Sequence, residues 1–122
     1  MELVAVKPEY YDFVREMRTH PENSPGFIEQ VEITREQQEQ YMQRYAKNYY
    51  ICLLYNEPVG YVGVIDNDIR ICTHPDFKGV GIGSFMLDEI VKIFPGAIGK
   101  ILKGNTASQR LFEKCKVPYT II

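Results

Sequence analysis

The sequence predicts an α/β (α+β) fold, a mixed and mostly antiparallel central sheet flanked by helices, and three features carry that prediction. Between residues 49 and 73, three apolar runs rich in β-branched and aromatic residues are joined by short polar turns, the pattern of an antiparallel meander. Apolar residues recur at helical spacing on both sides of that meander. Between its last strand and the next helix lies His74-Pro75-Asp76-Phe77-Lys78-Gly79-Val80-Gly81-Ile82-Gly83-Ser84, a turn with three alternating glycines. Such a turn lets the backbone approach a ligand closely, and the helix start behind it offers unpaired N–H donors and partial positive charge, a setting for phosphate.

The elements follow in order. Leu3-Val4-Ala5-Val6 reads as a strand ended by Lys7-Pro8, and Pro8 suits the first turn of a helix whose Tyr10, Phe13, Val14 and Met17 form one stripe. Arg18-Thr19-His20-Pro21-Glu22-Asn23-Ser24-Pro25-Gly26 has the composition of a loop, and loops on such scaffolds often carry specificity. Thr34-Arg35-Glu36-Gln37 fits a capping box, opening a helix to about Lys47 with Tyr41, Met42 and Tyr45 on one face and the run 36–40 in solvent. Strands are expected at 49–55, 59–65 and 69–73, with turns at Asn56-Glu57-Pro58 and Asp66-Asn67-Asp68. Past the glycines, Ile82, Phe85, Met86, Ile90 and Ile93 make one apolar row and Leu87, Val91 and Phe94 a second, so that helix packs deep against the sheet until Pro95-Gly96 ends it. A strand at 97–102, a helix capped by Asn105 or Thr106, and a short strand at 117–122 with an edge-type proline complete the chain.

Composition narrows the classes. A length of 122 residues predicts one domain spanning 1–122, and 45% hydrophobic with 25% charged residues is ordinary for a globular protein. Net charge is −2 without a Lys/Arg run, so no nucleic-acid partner is expected. No apolar stretch approaches the roughly 20 residues that span a bilayer, and Met1-Glu2-Leu3-Val4 lacks a signal peptide's basic start, which predicts a cytoplasmic protein with no membrane partner. Cys52, Cys72 and Cys115 are odd in number and unpatterned, which suits reduced thiols better than disulfides or a metal site.

The glycine turn lacks the Gly-Lys-Ser/Thr of a Walker loop, and its third glycine falls one place early for the dinucleotide fingerprint. Lys78-Gly79-Val80-Gly81-Ile82-Gly83, after Thr73-His74-Pro75, resembles the acetyl-CoA pyrophosphate loop of the GCN5-related N-acetyltransferase (GNAT) family, Arg/Gln-x-x-Gly-x-Gly/Ala, with Lys78 in place of Arg or Gln. Asn105-Thr106-Ala107-Ser108-Gln109-Arg110-Leu111-Phe112-Glu113-Lys114-Cys115 is similar to that family's later helix. The resemblance implies the GNAT fold, C-terminally shortened because one strand follows the last helix where the family has two. It also implies acetyl-CoA as acyl donor and a primary amine, on a small molecule or a peptide, as acceptor. The backbones of Ile71, Cys72 and Thr73 would pair with the pantetheine arm where the fourth and fifth strands splay, and the backbones of Lys78, Gly79, Val80, Gly81, Ile82, Gly83 and Ser84 would hold the pyrophosphate. Asn105 and Ser108 would approach the pantetheine or its sulfur.

The family's helix usually carries a tyrosine that protonates the leaving thiolate, where this sequence has Phe112. Ser108, Cys115 or Tyr119 could substitute, or no acid is needed for a thiol of pKa about 8.5. Family members often use a fourth-strand carboxylate as base, for which Asp68 is favoured over Asp66, although both also suit turn chemistry. His20 is the other candidate base, balanced against a turn histidine before Pro21, and His74 reads as structural. Most of the nine tyrosines read as core residues with a polar tip. The segment around Arg18-Thr19-His20-Pro21-Glu22 resembles acetyltransferases of nucleotide-linked amino sugars, an alternative acceptor. A non-catalytic acyl-CoA-binding or interaction module is the competing function, and the exposed C-terminal strand edge predicts a homodimer.

Overall fold

The computed structural model describes residues 1–23 and 33–122. Four strands, β1 (Glu2–Ala5), β2 (Tyr49–Leu54), β3 (Glu57–Ile65) and β4 (Asp68–Thr73), form an antiparallel sheet in the order β1-β2-β3-β4. The two hairpins that build it turn on Tyr55-Asn56 (φ 50° and 65°) and Asp66-Asn67 (φ 52° and 63°). Two successive left-handed residues match the right-handed twist of the flanking strands, and Asn and Asp tolerate that conformation better than most side chains. The first turn is therefore tighter than the expected Asn56-Glu57-Pro58, and Pro58 belongs to β3. It pairs with Leu53 where the register slips between Cys52 and Leu53, a bulge at which a residue without an N–H is tolerated.

Both faces of this sheet are covered, which is why β2 and β3 are apolar almost without interruption. On one face lie α1 (Tyr11–Thr19), entered through a 3-10 turn at Pro8–Tyr10, and α2 (Arg35–Tyr45). They bury Val14, Met17 and Met42 against Tyr49, Ile51, Leu53, Tyr61 and Cys72. The capping box of α2 is present, with Gln37 N–H donating to Thr34 Oγ1 at 3.1 Å and Thr34 N–H to Gln37 Oε1 at 3.0 Å. Gln38 departs from the expected solvent-facing run: it is 1% exposed, because its amide ties α2 to α1 by donating to Tyr11 O at 3.3 Å and accepting from Arg18 Nη1 at 3.1 Å. A buried amide is tolerated when both its ends are bonded.

The other face carries α3 (Ile82–Ile93) and α4 (Thr106–Lys114), with Met86, Leu87 and Ile90 packed on Val59, Val62 and Ile69. Ile93, expected in the buried row, is 44% exposed at the last turn of α3. Phe112 of α4 sits over β5 (Gly99–Ile101) so closely that a Cβ on Gly99 would lie 2.4 Å from its ring. Only glycine fits there. β5 pairs in parallel with β6 (Tyr119–Ile121), whose other edge has no strand among the described residues.

Of the expected loop 18–26, Arg18 and Thr19 belong to α1, His20 to Asn23 form a turn closed by Asn23 N–H to His20 O at 3.0 Å, and Ser24-Pro25-Gly26 lie outside the described residues. Among the described residues no helix is long and apolar enough to cross a membrane, and all three cysteines are free.

Candidate functional site

The site begins where two strands part. Ile69 N–H donates to Ile98 O at 2.9 Å and Ile98 N–H to Asn67 O at 2.8 Å, so the chain before β5 starts alongside β4. Beyond that bridge β5 pairs with β6 instead, so among the described residues no strand covers the outer edge of β4 from Ile71 onward. Alternation decides which groups face the opening. His74 N–H bonds Val59 O at 2.8 Å, and with the register Tyr61↔Cys72 this places the even-numbered residues of β4 in the ladder to β3. The backbone polar groups of Ile71 and Thr73 therefore point outward, whereas those of Cys72, expected to pair with a ligand, are taken by β3. The Cys72 side chain packs toward α1, where burial pushes its thiol up to about 12.

The glycine turn follows. His74 Nδ1 accepts from Asp76 N–H at 3.0 Å and His74 O from Phe77 N–H at 2.9 Å, so the imidazole holds the 3-10 turn Pro75–Phe77 in shape, as expected of a structural histidine. Gly79 and Gly81 then adopt φ of 84° and 88°. A Cβ built on either meets no atom within 4 Å, so the left-handed backbone borders open space. Gly81 is the N-cap of α3, and its carbonyl accepts the first intrahelical bond from Phe85 N–H at 3.1 Å. The N–H groups of Ile82, Gly83 and Ser84 precede that bond and have no partner within the helix. The Val80 side chain, 60% exposed, turns away into solvent. Gly83 is needed for another reason, since a Cβ would come 3.1 Å from Leu111 where α3 crosses α4.

From α4, Asn105 caps the helix with Oδ1 accepting from Ser108 N–H at 3.2 Å, which leaves its Nδ2 as the group free to meet a ligand. The β4 edge, the glycine turn and the first turn of α4 enclose one cleft of about 610 Å³. Of the residues singled out from sequence, Ile71, Cys72, Thr73, Lys78, Gly79, Gly81, Ile82, Gly83, Ser84, Asn105 and Ser108 border it, and Val80 does not. Arg110 and Lys114, not predicted from sequence, border it too; the signal for them is a spacing of four on the helix face that also carries Ala107 and Leu111. With Lys78 they set three cations around the cleft.

Two further residues, Glu22 and Asn23, reach the cleft at the β4 end. The turn that places them is held by His20, whose Nδ1 accepts from Glu22 N–H at 3.1 Å. Asn23 is 7% exposed and anchored by its Nδ2 donating to Met17 O at 3.1 Å, so its Oδ1 is the end left over. Of the expected bases, His20 is not among the cleft-lining residues, and Asp68 stands at the far end of β4 with Oδ2 bound to Arg70 Nε at 3.1 Å. Phe112 is 2% exposed in the core, and Tyr119 donates its hydroxyl to Glu113 at 2.6 Å. Cys115 is half-buried, its thiol pushed up by burial and by Asp88.

A family model described as the acetyltransferase (GNAT) family matches residues 4–116 of the chain. Comparison with curated proteins finds no match. Among solved structures, a ribosomal-protein-alanine N-acetyltransferase from Brucella melitensis superimposes with a TM-score of 0.84 at 15% identity, over 93% of this chain and 82% of that one. A spermidine N-acetyltransferase from Vibrio cholerae, in complex with CoA and spermine, gives 0.79 at 14% identity over 93% and 78%. An aminoglycoside acetyltransferase in complex with coenzyme A and kanamycin gives 0.71 at 19% identity over 93% and 81%. At these identities the three likenesses establish the fold.

Proposed function

The chain belongs to the GNAT family of acetyltransferases, and on that premise we propose that it moves an acetyl group from acetyl-CoA to a primary amine by direct attack. The observation that carries the proposal is the convergence on one cleft of an open β4 edge, a left-handed glycine turn leading into a helix N-terminus, and the Asn105–Ser108 cap. The residues suit a CoA ester. Space above Gly79 and Gly81 and the unpaired N–H groups of Ile82, Gly83 and Ser84 fit a pyrophosphate, with Lys78, Arg110 and Lys114 adding positive charge. The outward amide groups of Ile71 and Thr73 fit the pantetheine amides, taking the place of a missing strand.

Acetyl-CoA supplies an acetyl group activated as a thioester. The neutral amine nitrogen forms the new C–N bond, the C–S bond breaks, and CoA leaves as a thiol after gaining a proton. Ile71 N–H is the outward donor for charge developing on the carbonyl oxygen. Among the described residues Glu22 is the carboxylate that borders the cleft, and we assign to it the proton lost by the amine, in preference to Asp68, tied to Arg70, and His20, tied to the turn. Asn23 Oδ1 accepts an N–H of the incoming amine. The Ser108 hydroxyl is the donor at hand for the departing sulfur.

One competing reading is a module that binds acyl-CoA without turnover; what favours it is Phe112, which carries no hydroxyl and is buried in the core, not among the residues bordering the cleft. Calorimetric titration with acetyl-CoA followed by a thiol-release assay across amine acceptors decides. Binding with release supports the enzyme, binding without release supports the module, and no binding at millimolar ligand rejects both.

A further inference from the structure

The face of β4 that points away from α3 holds a group of polar side chains that acetyl-CoA recognition does not use. Arg18, in the last turn of α1, lies with its guanidinium 4.6 Å from the centroid of the Tyr41 ring and donates from Nη1 to Gln38 Oε1 at 3.1 Å. Gln38 cannot turn away, because its Nε2 is committed to Tyr11 O. No carboxylate among the described residues pairs with Arg18, although it is half-buried. A cation held in place with only neutral partners is an incomplete arrangement that an anion would complete.

Arg70 stands nearby. Its Nε bonds Asp68 at 3.1 Å, while its two terminal nitrogens have no hydrogen-bond acceptor among the described residues. Arg70 pairs across the sheet with Gly63, and Gly63 pairs in turn with Tyr49, whose ring fills the space above it at 2.7 Å from a built Cβ. The Tyr49 hydroxyl meets that of Tyr41 at 2.7 Å, so a continuous row runs Arg18, Tyr41, Tyr49, Arg70. Burial pushes the Tyr49 hydroxyl far up, so it stays a neutral donor and not a competing anion. Over α1, α2 and β4 the charges balance, with Arg15, Arg18, Arg35, Arg44 and Arg70 against Asp12, Glu16, Glu36, Glu39 and Asp68, so it is the placement of Arg18 and Arg70 and not a net positive surface that would draw an anion; Asp12 is shared between Arg15 and Arg35. Position in the strand ties this row to the chemistry: Arg70 directly precedes Ile71, whose backbone opens toward the cleft.

We propose that Arg18 and Arg70 form a subsite for an anionic group on the acceptor, so that the substrate is an amine that also bears a carboxylate or phosphate. The proposal rests on the acetyltransferase reading of the adjacent cleft. Glu22 and Asn23 would receive the amine end and the arginine row the anionic end, which selects against polyamines, whose second cation would face Arg70.

The test measures thiol release from acetyl-CoA with matched acceptors, O-phosphoethanolamine against ethanolamine and β-alanine against propylamine, with spermidine as a polycationic control. Two charge-assisted hydrogen bonds predict a preference of at least about tenfold in kcat/KM for the anionic member of one pair, and which pair shows it separates phosphate from carboxylate. Arg70→Gln and Arg18→Gln should each reduce that preference while acetyl-CoA affinity, read by calorimetry on the same samples, stays unchanged; Arg70 is 44% exposed, so its variant keeps the test readable should Arg18→Gln unfold. Equal use of the neutral amines, preferred use of spermidine, or a preference that survives both substitutions overturns the subsite while the acetyltransferase reading stands. Failure to bind acetyl-CoA at all removes that reading and the subsite with it. Should acetyl-CoA bind without turnover of any amine, direct titration with O-phosphoethanolamine and β-alanine decides, and absence of binding by both overturns the proposal.

Discussion

Replacing Gly81 by valine separates backbone strain from ligand recognition. Gly81 sits at φ 88°, and a Cβ there meets no protein atom within 4 Å, so the substitution introduces no clash. Its cost to the fold is the left-handed conformation alone, about 1–2 kcal/mol, which lowers the unfolding midpoint by roughly 3–12 °C for a chain of this length. Its cost to binding is larger, because the side chain occupies the open space over the helix N-terminus and disturbs the N–H groups behind it. Loss of one or two charge-assisted hydrogen bonds amounts to on the order of 100-fold in acetyl-CoA affinity. Thermal unfolding and isothermal calorimetry on the same preparation measure both quantities. Gly96→Ala is the control, since its Cβ would find Asn67 Oδ1 at an ordinary 3.8 Å, and it should change neither. Acetyl-CoA affinity unchanged in Gly81→Val would refute the assignment of the glycine turn.

Glu22→Gln should lower acetyl transfer by roughly 100-fold or more at neutral pH while acetyl-CoA affinity holds, and a rate within a few-fold of wild type would remove Glu22 as the base. Gly99→Ala forces a Cβ to 2.4 Å from the Phe112 ring and should cost about 1–3 kcal/mol in urea unfolding, whereas an unchanged midpoint would mean that α4 shifts freely. Cys72, with its folded pKa raised from 9.0 to about 12, holds its proton more tightly folded than unfolded, so its stabilisation is complete below pH 9 and is lost as pH rises toward 12. Three pH units correspond to at most about 4 kcal/mol; Cys72→Ala should flatten stability against pH over that window, and an unaltered slope would contradict the burial argument. Pairing of two copies along the open edge of β6 should give a dimer by light scattering at high concentration, and monomer throughout would reject it.

What the sequence revealed and what it hid divide along physical lines. Period-two runs, paired turn residues and the Thr34–Gln37 capping box are local signals; the second hairpin and the start of α2 appear where those signals place them, whereas the first hairpin turns on Tyr55-Asn56, ahead of the expected Asn56-Glu57-Pro58, and α2 ends at Tyr45. The glycine turn was legible because left-handed backbone needs glycine, and the Asn105 cap because an N-cap side chain is a local requirement. The sequence places Gln38 in the solvent-facing run because its burial depends on Tyr11 and Arg18, 27 and 20 positions away, which no helical period encodes. The split role of Cys72 depends on strand register, a tertiary property set by the hairpin turns. Asp68 drew attention through its place on the fourth strand, yet only the fold shows that Arg70 shares its face and binds it. Glu22 and Asn23 lay in a segment recognised as a loop, but composition gives no direction to a loop residue; the bond from Glu22 N–H to His20 supplies it.

The most direct measurement is a titration of isotopically labelled protein with acetyl-CoA, followed by the backbone amide resonances. Saturable shifts are expected at Ile71, Thr73, Gly79 to Ser84, Asn105 and Ser108, with Cys72 moving less than its two neighbours because its amide belongs to β3. Shifts that avoid the glycine turn, or a spectrum unchanged at millimolar acetyl-CoA, would contradict that expectation.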